Sequence, residues 1–314
     1  MPAVAITGGS GFIGRRLIER LGRDDISAKA LMRHPHMPSD THNDHLRIVR
    51  GSLQDDAAIR ELVDDVDAVV HLAGLIKAKN RRAFFDVNEG GVRHLADRIA
   101  ACPKPPKLVL VSSLAAREPT LSSYAASKRA GEEVLSTLKE SVPWTILRPP
   151  AVYGPGDRET LAFFKGVKRR IGAKLGHEHA RFSLLYVDDL VDLILAVIAP
   201  QIAHKQTLEP DDGKAGGHSW CGMIAAAEKA LRIQSIRLHP PKALLMALGY
   251  ANVGLRFLPG YTPMLTPEKV REITHLNWVS NSRSMSSMTD WKPKTPVDRG
   301  FPATIDWYQL HSLL

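Results

Sequence analysis

The stretch that most constrains this chain is Thr7-Gly8-Gly9-Ser10-Gly11-Phe12-Ile13-Gly14. It follows Ala3-Val4-Ala5-Ile6, an apolar run of strand type. It precedes Arg15 to Leu21, where Leu17, Ile18 and Leu21 recur at helical spacing. Strand, glycine turn and helix, in that order, is the setting of a loop that holds a dinucleotide. Gly8 allows the tight turn, Gly11 lets backbone approach a pyrophosphate, and Gly14 lets the helix pack closely on the strand. The free N–H groups of Phe12, Ile13 and Gly14 at the helix start then face the phosphates. The plain alternative is a strand–helix turn that binds nothing.

The pattern repeats through the first half of the chain. Ser27–Met32, Arg47–Arg50, Ala68–Leu72, Leu108–Val111 and Trp144–Leu147 read as further strands. Ala57–Val63, Phe84–Ala101 and Tyr124–Leu138 read as helices, and Asp188–Ala199 as another beyond the first half. This alternation predicts an α/β, Rossmann-type doubly wound parallel sheet. After Pro149-Pro150 prolines and glycines become frequent and strand signals weaken. The 314 residues suffice for such a core plus a smaller C-terminal substrate lobe. The predicted division is 1–154 for dinucleotide binding, with 184–210 returning to it, and 155–183 plus 211–314 for the lobe.

A hydrophobic share of 44% and a charged share of 24% suit a soluble enzyme, but the formal charge of +9 is high. A generally basic surface, an anionic ligand, or a membrane or nucleic-acid surface would each account for it. The basic residues read as scattered, and none of their runs is interleaved with aromatics, so no nucleic-acid partner is expected. Cys102 and Cys221 make no metal spacing or disulfide framework, which fits a reducing, cytoplasmic compartment. His34, His36, His42 and His45 lack regular ligand spacing, so no metal is expected. No transmembrane segment is predicted. The apolar run Ala243–Tyr250 reads best as a core helix, with a pocket wall or peripheral membrane contact as alternatives. The sequence leaves the oligomeric state open.

The second strong signal is Ser113, Tyr124 and Lys128. Tyr124-Ala125-Ala126-Ser127-Lys128 puts phenol and ammonium on one helix face. An ammonium near a phenol lowers its pKa, and such a tyrosine can exchange a proton with a carbonyl or alcohol. Ser113 follows the strand Leu108–Val111, at the carboxyl edge where open α/β sheets bind ligands. Its hydroxyl can hold the same substrate oxygen.

With these pieces in place the chain resembles the short-chain dehydrogenase/reductase superfamily, in its extended epimerase/dehydratase branch. The resemblance rests on Thr7-Gly8-x-x-Gly11-x-x-Gly14, His71-Leu72-Ala73-Gly74, Asn88, Ser112-Ser113, Tyr124-x-x-x-Lys128, Leu147 to Gly156, and Tyr186-Val187-Asp188-Asp189-Leu190. It implies catalytic roles for Ser113, Tyr124 and Lys128, with Tyr124 as general acid/base and Lys128 on the nicotinamide ribose. It implies that Leu72, Ala73 and Gly74 line the cofactor and that Pro149, Pro150 and Ala151 sit by the nicotinamide. Asn88 is expected to pack helices rather than touch cofactor.

The tip of the second strand separates NAD from NADP. Ala30-Leu31-Met32-Arg33 offers no carboxylate for the ribose hydroxyls, whereas Arg33 can pair with a 2′-phosphate. This is similar to reductases of the dihydroflavonol-reductase type, which implies NADP, with NAD as the alternative. Arg15 and Arg16 could add positive field. Ser52 stands where the family often has an adenine-facing aspartate. Leu114 and Ala115 replace the acidic pair of dehydratases, and Ala151 replaces an asparagine common in nucleotide-sugar enzymes. The expectation is therefore an NADP-favouring oxidoreductase acting on a small-molecule carbonyl or alcohol. A nucleotide-sugar epimerase and a non-catalytic NADP-binding scaffold are the alternatives.

Overall fold

The computed structural model describes residues 3–34, 45–255, 265–281, 285 and 287–314. His36, His42 and Arg256 lie outside the described residues.

Six strands follow the predicted runs: β1 (Val4–Thr7), β2 (Ala28–Met32), β3 (Leu46–Arg50), β4 (Ala68–His71), β5 (Lys107–Val111) and β6 (Trp144–Leu147). Gln206–Leu208 adds a seventh beside β6. All pair in parallel, and the order across the sheet is β3-β2-β1-β4-β5-β6 and then Gln206–Leu208. The period-two alternation of strand side chains explains the two faces. Val4 and Ile6 join one buried cluster with Leu17, Ile18, Leu190 and Ile194. Ala5 joins the other, with Ile59, Leu95 and Leu108. Helices therefore cover both faces, as a doubly wound sheet requires.

Five helices matter for the site: α1 (Phe12–Arg23), α2 (Asp56–Val63), α3 (Arg81–Asn88), α4 (Gly90–Ala100) and α5 (Ser123–Ser136). The sequence pattern predicts one long helix over Phe84–Ala101, and the structure breaks it at Glu89. Gly90 and Gly91 weaken the helix locally. The Asn88 side chain holds Leu75 instead, accepting from its N–H at 2.7 Å and donating to its carbonyl at 3.0 Å.

A third buried cluster forms around Tyr153, Phe164, Phe301 and Tyr308, whose rings meet at 5–6 Å, while the helix Val187–Val197 packs on the sheet. The helix Val297–Leu310 packs so closely that a β-carbon on Gly300 would lie 2.4 Å from the Tyr153 hydroxyl.

The run Ala243–Tyr250 departs from its expected core role. It lies in the helix Lys242–Gly254, which buries only Leu245 and Gly249. Trp278 donates its indole N–H to the Glu272 carbonyl at 2.8 Å, and Trp291 donates to the Asp189 carbonyl at 2.9 Å.

Candidate active site

The residues singled out in the sequence sit along one edge of the sheet. The glycine turn follows β1, Arg33 follows β2, Leu72–Gly74 follow β4, Ser113 follows β5, and Pro149–Ala151 follow β6. From β1 the chain order runs outward in both directions, so a crevice opens between the carboxyl ends of β1 and β4. The turn is shaped for a ligand that approaches backbone. Gly8 has φ +76°, and a β-carbon there would lie 2.7 Å from the Ala73 nitrogen. A β-carbon on Gly14 would lie 2.2 Å from the Gly8 carbonyl oxygen. Gly11 caps α1 with no side-chain hydrogen bond, so the first-turn N–H groups have no acceptor within the helix. This cradle fits the pyrophosphate of a dinucleotide.

Ser122 caps α5 by accepting from Ala125 N–H at 3.0 Å, which sets Tyr124 and Lys128 one turn apart on the helix. The Ser113 hydroxyl faces the Tyr124 phenol, which leans on the Phe84 ring. Ser113 also caps the short turn Leu114–Arg117, accepting from Ala115 N–H at 3.2 Å. Lys128 Nζ donates to the Val111 carbonyl at 2.9 Å and lies 3.8 Å from where a Gly74 β-carbon would sit. The ends of β4 and β5 and the face of α5 thus converge.

The electrostatics differ from the sequence expectation in one respect. Lys128 is expected to lower the Tyr124 phenol. Burial instead pushes that phenol up to about 12, against the lowering pull of the Ser113 hydroxyl, and Glu272 adds to the rise. Burial also lowers Lys128 to about 8. Desolvation acts on both groups and favours the neutral form of each. His71, beneath the site, is lowered to about 3 by burial and by Lys128. Its Nδ1 shares a 2.8 Å hydrogen bond with Thr7 Oγ1, and its Nε2 is buried with no partner.

A buried ionic network stands behind Ser113. Arg148 Nη2 meets Glu132 at 2.6 Å, its Nε bridges both Glu132 oxygens at 3.0 and 3.1 Å, and its Nη1 meets Glu209 at 3.3 Å. Ser112 Oγ donates to Glu132 at 2.5 Å. Arg117 joins the turn after Ser113 to Glu209 and to the Val279 carbonyl. At the other end of α5, Glu272 accepts from Ser122 and Glu268 accepts from Ser123. Sequence reading assigned no role to Glu132, Glu209, Glu268 or Glu272. Arg148 was visible within the quoted Leu147–Gly156 motif, but its partners lie far along the chain.

Arg16 gives no free charge to a phosphate, because Asp188 holds its guanidinium at 2.9 and 2.7 Å. Arg33 is exposed and makes no ion pair among the described residues. Ser52 accepts from Gln54 N–H at 3.3 Å. Among the described residues no group of three or more His, Cys, Asp or Glu could hold a metal ion. A cavity of about 560 Å³ beside the buried His218–Asp212 pair is lined by Arg181, Lys214 and Lys229 among others. None of the residues predicted to be catalytic or to bind cofactor lines it.

Sheet order and glycine cradle define a Rossmann-type dinucleotide-binding fold, with Ser113, Tyr124 and Lys128 gathered at the carboxyl edge of its sheet. The model of the NAD dependent epimerase/dehydratase family matches residues 4–208, and the chain belongs to that family. A ceramide reductase of Caulobacter vibrioides is 32% identical over 306 residues, covering 98% of this chain and 94% of the relative. A decarboxylating sterol-4-alpha-carboxylate 3-dehydrogenase of Candida albicans is 22% identical, covering 98% and 97%. Among solved structures, a UDP-glucuronic acid 4-epimerase from Bacillus cereus in complex with NAD superposes with a TM-score of 0.76 at 18% identity, covering 99% of this chain and 98% of that one. That likeness establishes the fold.

Proposed function

We propose that this chain is an NADPH-preferring reductase of a ketone carried on an apolar, lipid-like body. The observation that carries the reading is the convergence of Ser113, Tyr124 and Lys128 at the edge where the glycine cradle opens. When bound, the nicotinamide supplies the hydride to the carbonyl carbon. Tyr124 and Ser113 hydrogen-bond the carbonyl oxygen, and Tyr124 gives it a proton as negative charge develops there. The ketone thus gains a hydride at carbon and a proton at oxygen and leaves as an alcohol. A phenol that burial keeps protonated suits the donor's part, which favours the reducing direction. Lys128 would hold the nicotinamide ribose and stabilise the phenolate left behind. Leu72, Ala73 and Gly74 on one side and Pro149, Pro150 and Ala151 on the other would wall the nicotinamide.

Three features support the finer assignment. Arg33 is exposed, and among the described residues at the tip of β2 there is no carboxylate, which supports NADP over NAD. Ala151 gives a sugar-nucleotide phosphate no hydrogen bond, which supports an apolar substrate over nucleotide-sugar epimerisation. The full-length similarity to a ceramide reductase supports a lipid-like carbonyl compound. A scaffold protein has no use for the proton-transfer pair. The two free cysteines support a reducing, cytoplasmic setting.

The test is turnover of NADPH and NADH by the purified protein with long-chain ketones, short ketones and UDP-sugars. NADPH consumption with the long-chain ketones is expected. Epimerisation of a UDP-sugar without net nicotinamide consumption would overturn the reading.

A further inference from the structure

Two stretches of the chain, residues 161–177 and 229–267, contain no aspartate or glutamate and hold ten lysines and arginines between them. The formal excess of the whole chain is +9, so these stretches carry all of it and the rest is close to neutral. The fold joins the two stretches at one strand pair. Strand Ile236–Leu238 pairs in parallel with Ile171–Ala173, setting Ile236 opposite Ile171. Their apolar side chains face outward, Ile171 being 44% exposed, Ile236 70% and Leu238 48%. Lys168, Arg169 and Arg170 precede Ile171, are exposed, and make no ion pair among the described residues.

Four residues past Leu238 begins the helix Lys242–Gly254. Its inner side seats Leu245 and Gly249, with Gly249 against the Thr266–Pro267 backbone. Its outer side is an apolar row at helical spacing, Leu244, Leu248, Ala251 and, at the helix end, Leu255, with Tyr250 beside it. Leu244 and Leu248 are each 50% exposed. Single exposed leucines are ordinary. A row of them, joined through a short link to a strand pair that carries exposed isoleucines and the unpaired Lys168, Arg169 and Arg170, marks an interaction surface, although Arg237 on that pair is held by Glu228 at 2.6 Å.

We propose that this face seats the protein on the surface of a bilayer that contains anionic lipid. The leucine row would enter the boundary between headgroups and acyl chains, and the lysines and arginines would pair with headgroup phosphates. Charge selects this occupant. A second copy of the same face would set like charges against each other. A nucleic acid would engage the cations and leave the leucines in water. The helix is too short to cross a bilayer, so the protein lies on its surface. The proposal does not depend on the substrate assignment, because the probe is a lipid surface with no ketone in it.

The test is vesicle flotation of the full chain with phosphatidylcholine alone and with phosphatidylcholine plus phosphatidylglycerol. Binding to the anionic vesicles is expected to be about tenfold tighter and to weaken with salt. The double variant Leu244→Asp/Leu248→Asp should lose most binding at every salt concentration. Lys168→Glu/Arg169→Glu should lose the anionic preference. Circular dichroism melts establish that both variants fold. Absence of binding to either vesicle overturns the proposal. So does unchanged binding by the leucine variant with full competition by duplex DNA, which would mark a general polyanion site. A shift from dimer to monomer caused by the leucine variant would assign the face to a second copy and also overturn it.

Discussion

Around Tyr124 most polar side chains are taken up by one another, the buried Nε2 of His71 being the exception. Ser113 faces Tyr124, Lys128 holds the Val111 carbonyl, Glu132 is shared by Arg148 and Ser112, and Glu272 is tied to Ser122. On the face formed by Ile171, Ile236 and the helix Lys242–Gly254 the balance is different: leucines and isoleucines stand in water, and Lys168, Arg169 and Arg170 make no ion pair among the described residues, although Arg237 is held by Glu228. A region whose valences are closed internally is preorganised, and its groups stay in position before any substrate arrives. A region whose valences stay open is completed by something outside the chain.

The comparison breaks first at Arg148. Arg148→Met leaves Glu132 buried without its partner and should cost about 3–5 kcal/mol of stability. On the open face, Leu248→Ala should cost less than about 0.5 kcal/mol. Denaturant titration of both variants checks the contrast, and equal losses would erase it.

His71 sharpens the account of the closed region. Burial holds its imidazole neutral down to about 3, below the ordinary value of 6.5. Between those values the unfolded chain binds a proton that the folded chain refuses. The stability contribution is therefore complete above pH 6.5 and falls by about 1.4 kcal/mol per pH unit as the pH drops towards 3. His71→Gln should lose less stability than the parent between pH 7 and pH 4.5, as read by denaturant titration at both values. Parallel losses would show that His71 does not titrate in this way.

Arg33 gives the smallest effect. Arg33→Ala should weaken NADPH binding by about 1–3 kcal/mol, the scale of a hydrogen bond to a charged group. NADH binding should be nearly unchanged. Calorimetric titration with both nucleotides checks this, and equal loss for both would remove Arg33 from cofactor selection.

Much of the closed region was legible because its signals are local. A glycine turn between strand and helix, or a tyrosine four residues before a lysine, is complete within a dozen residues. What stayed hidden needs partners distant in the chain. Arg16 reads as a free helix arginine until Asp188, on a remote helix, binds it. Glu132 and Glu209 carry no local signal, and only the sheet brings Arg148 between them. The raised Tyr124 phenol was misread for the same reason, since burial is a property of the assembled site and outweighs the neighbouring ammonium. The basic face escaped notice because its two halves join only through the pairing of Ile171–Ala173 with Ile236–Leu238. The break between α3 and α4 was foreshadowed by Gly90-Gly91, yet the apolar periodicity continues across it.

The most direct test of the central claim is the fate of the transferred hydrogen. The wild-type protein and Tyr124→Phe should each be given a long-chain ketone and NADPH deuterated at its transferable position, with the product read by mass spectrometry. The account predicts one deuterium in the alcohol from the wild type, with matching NADP accumulation. It predicts turnover lower by about 10²–10⁴-fold in Tyr124→Phe, with NADPH affinity nearly intact. An alcohol without deuterium, or a Tyr124→Phe protein that turns over as fast as the wild type, would contradict it.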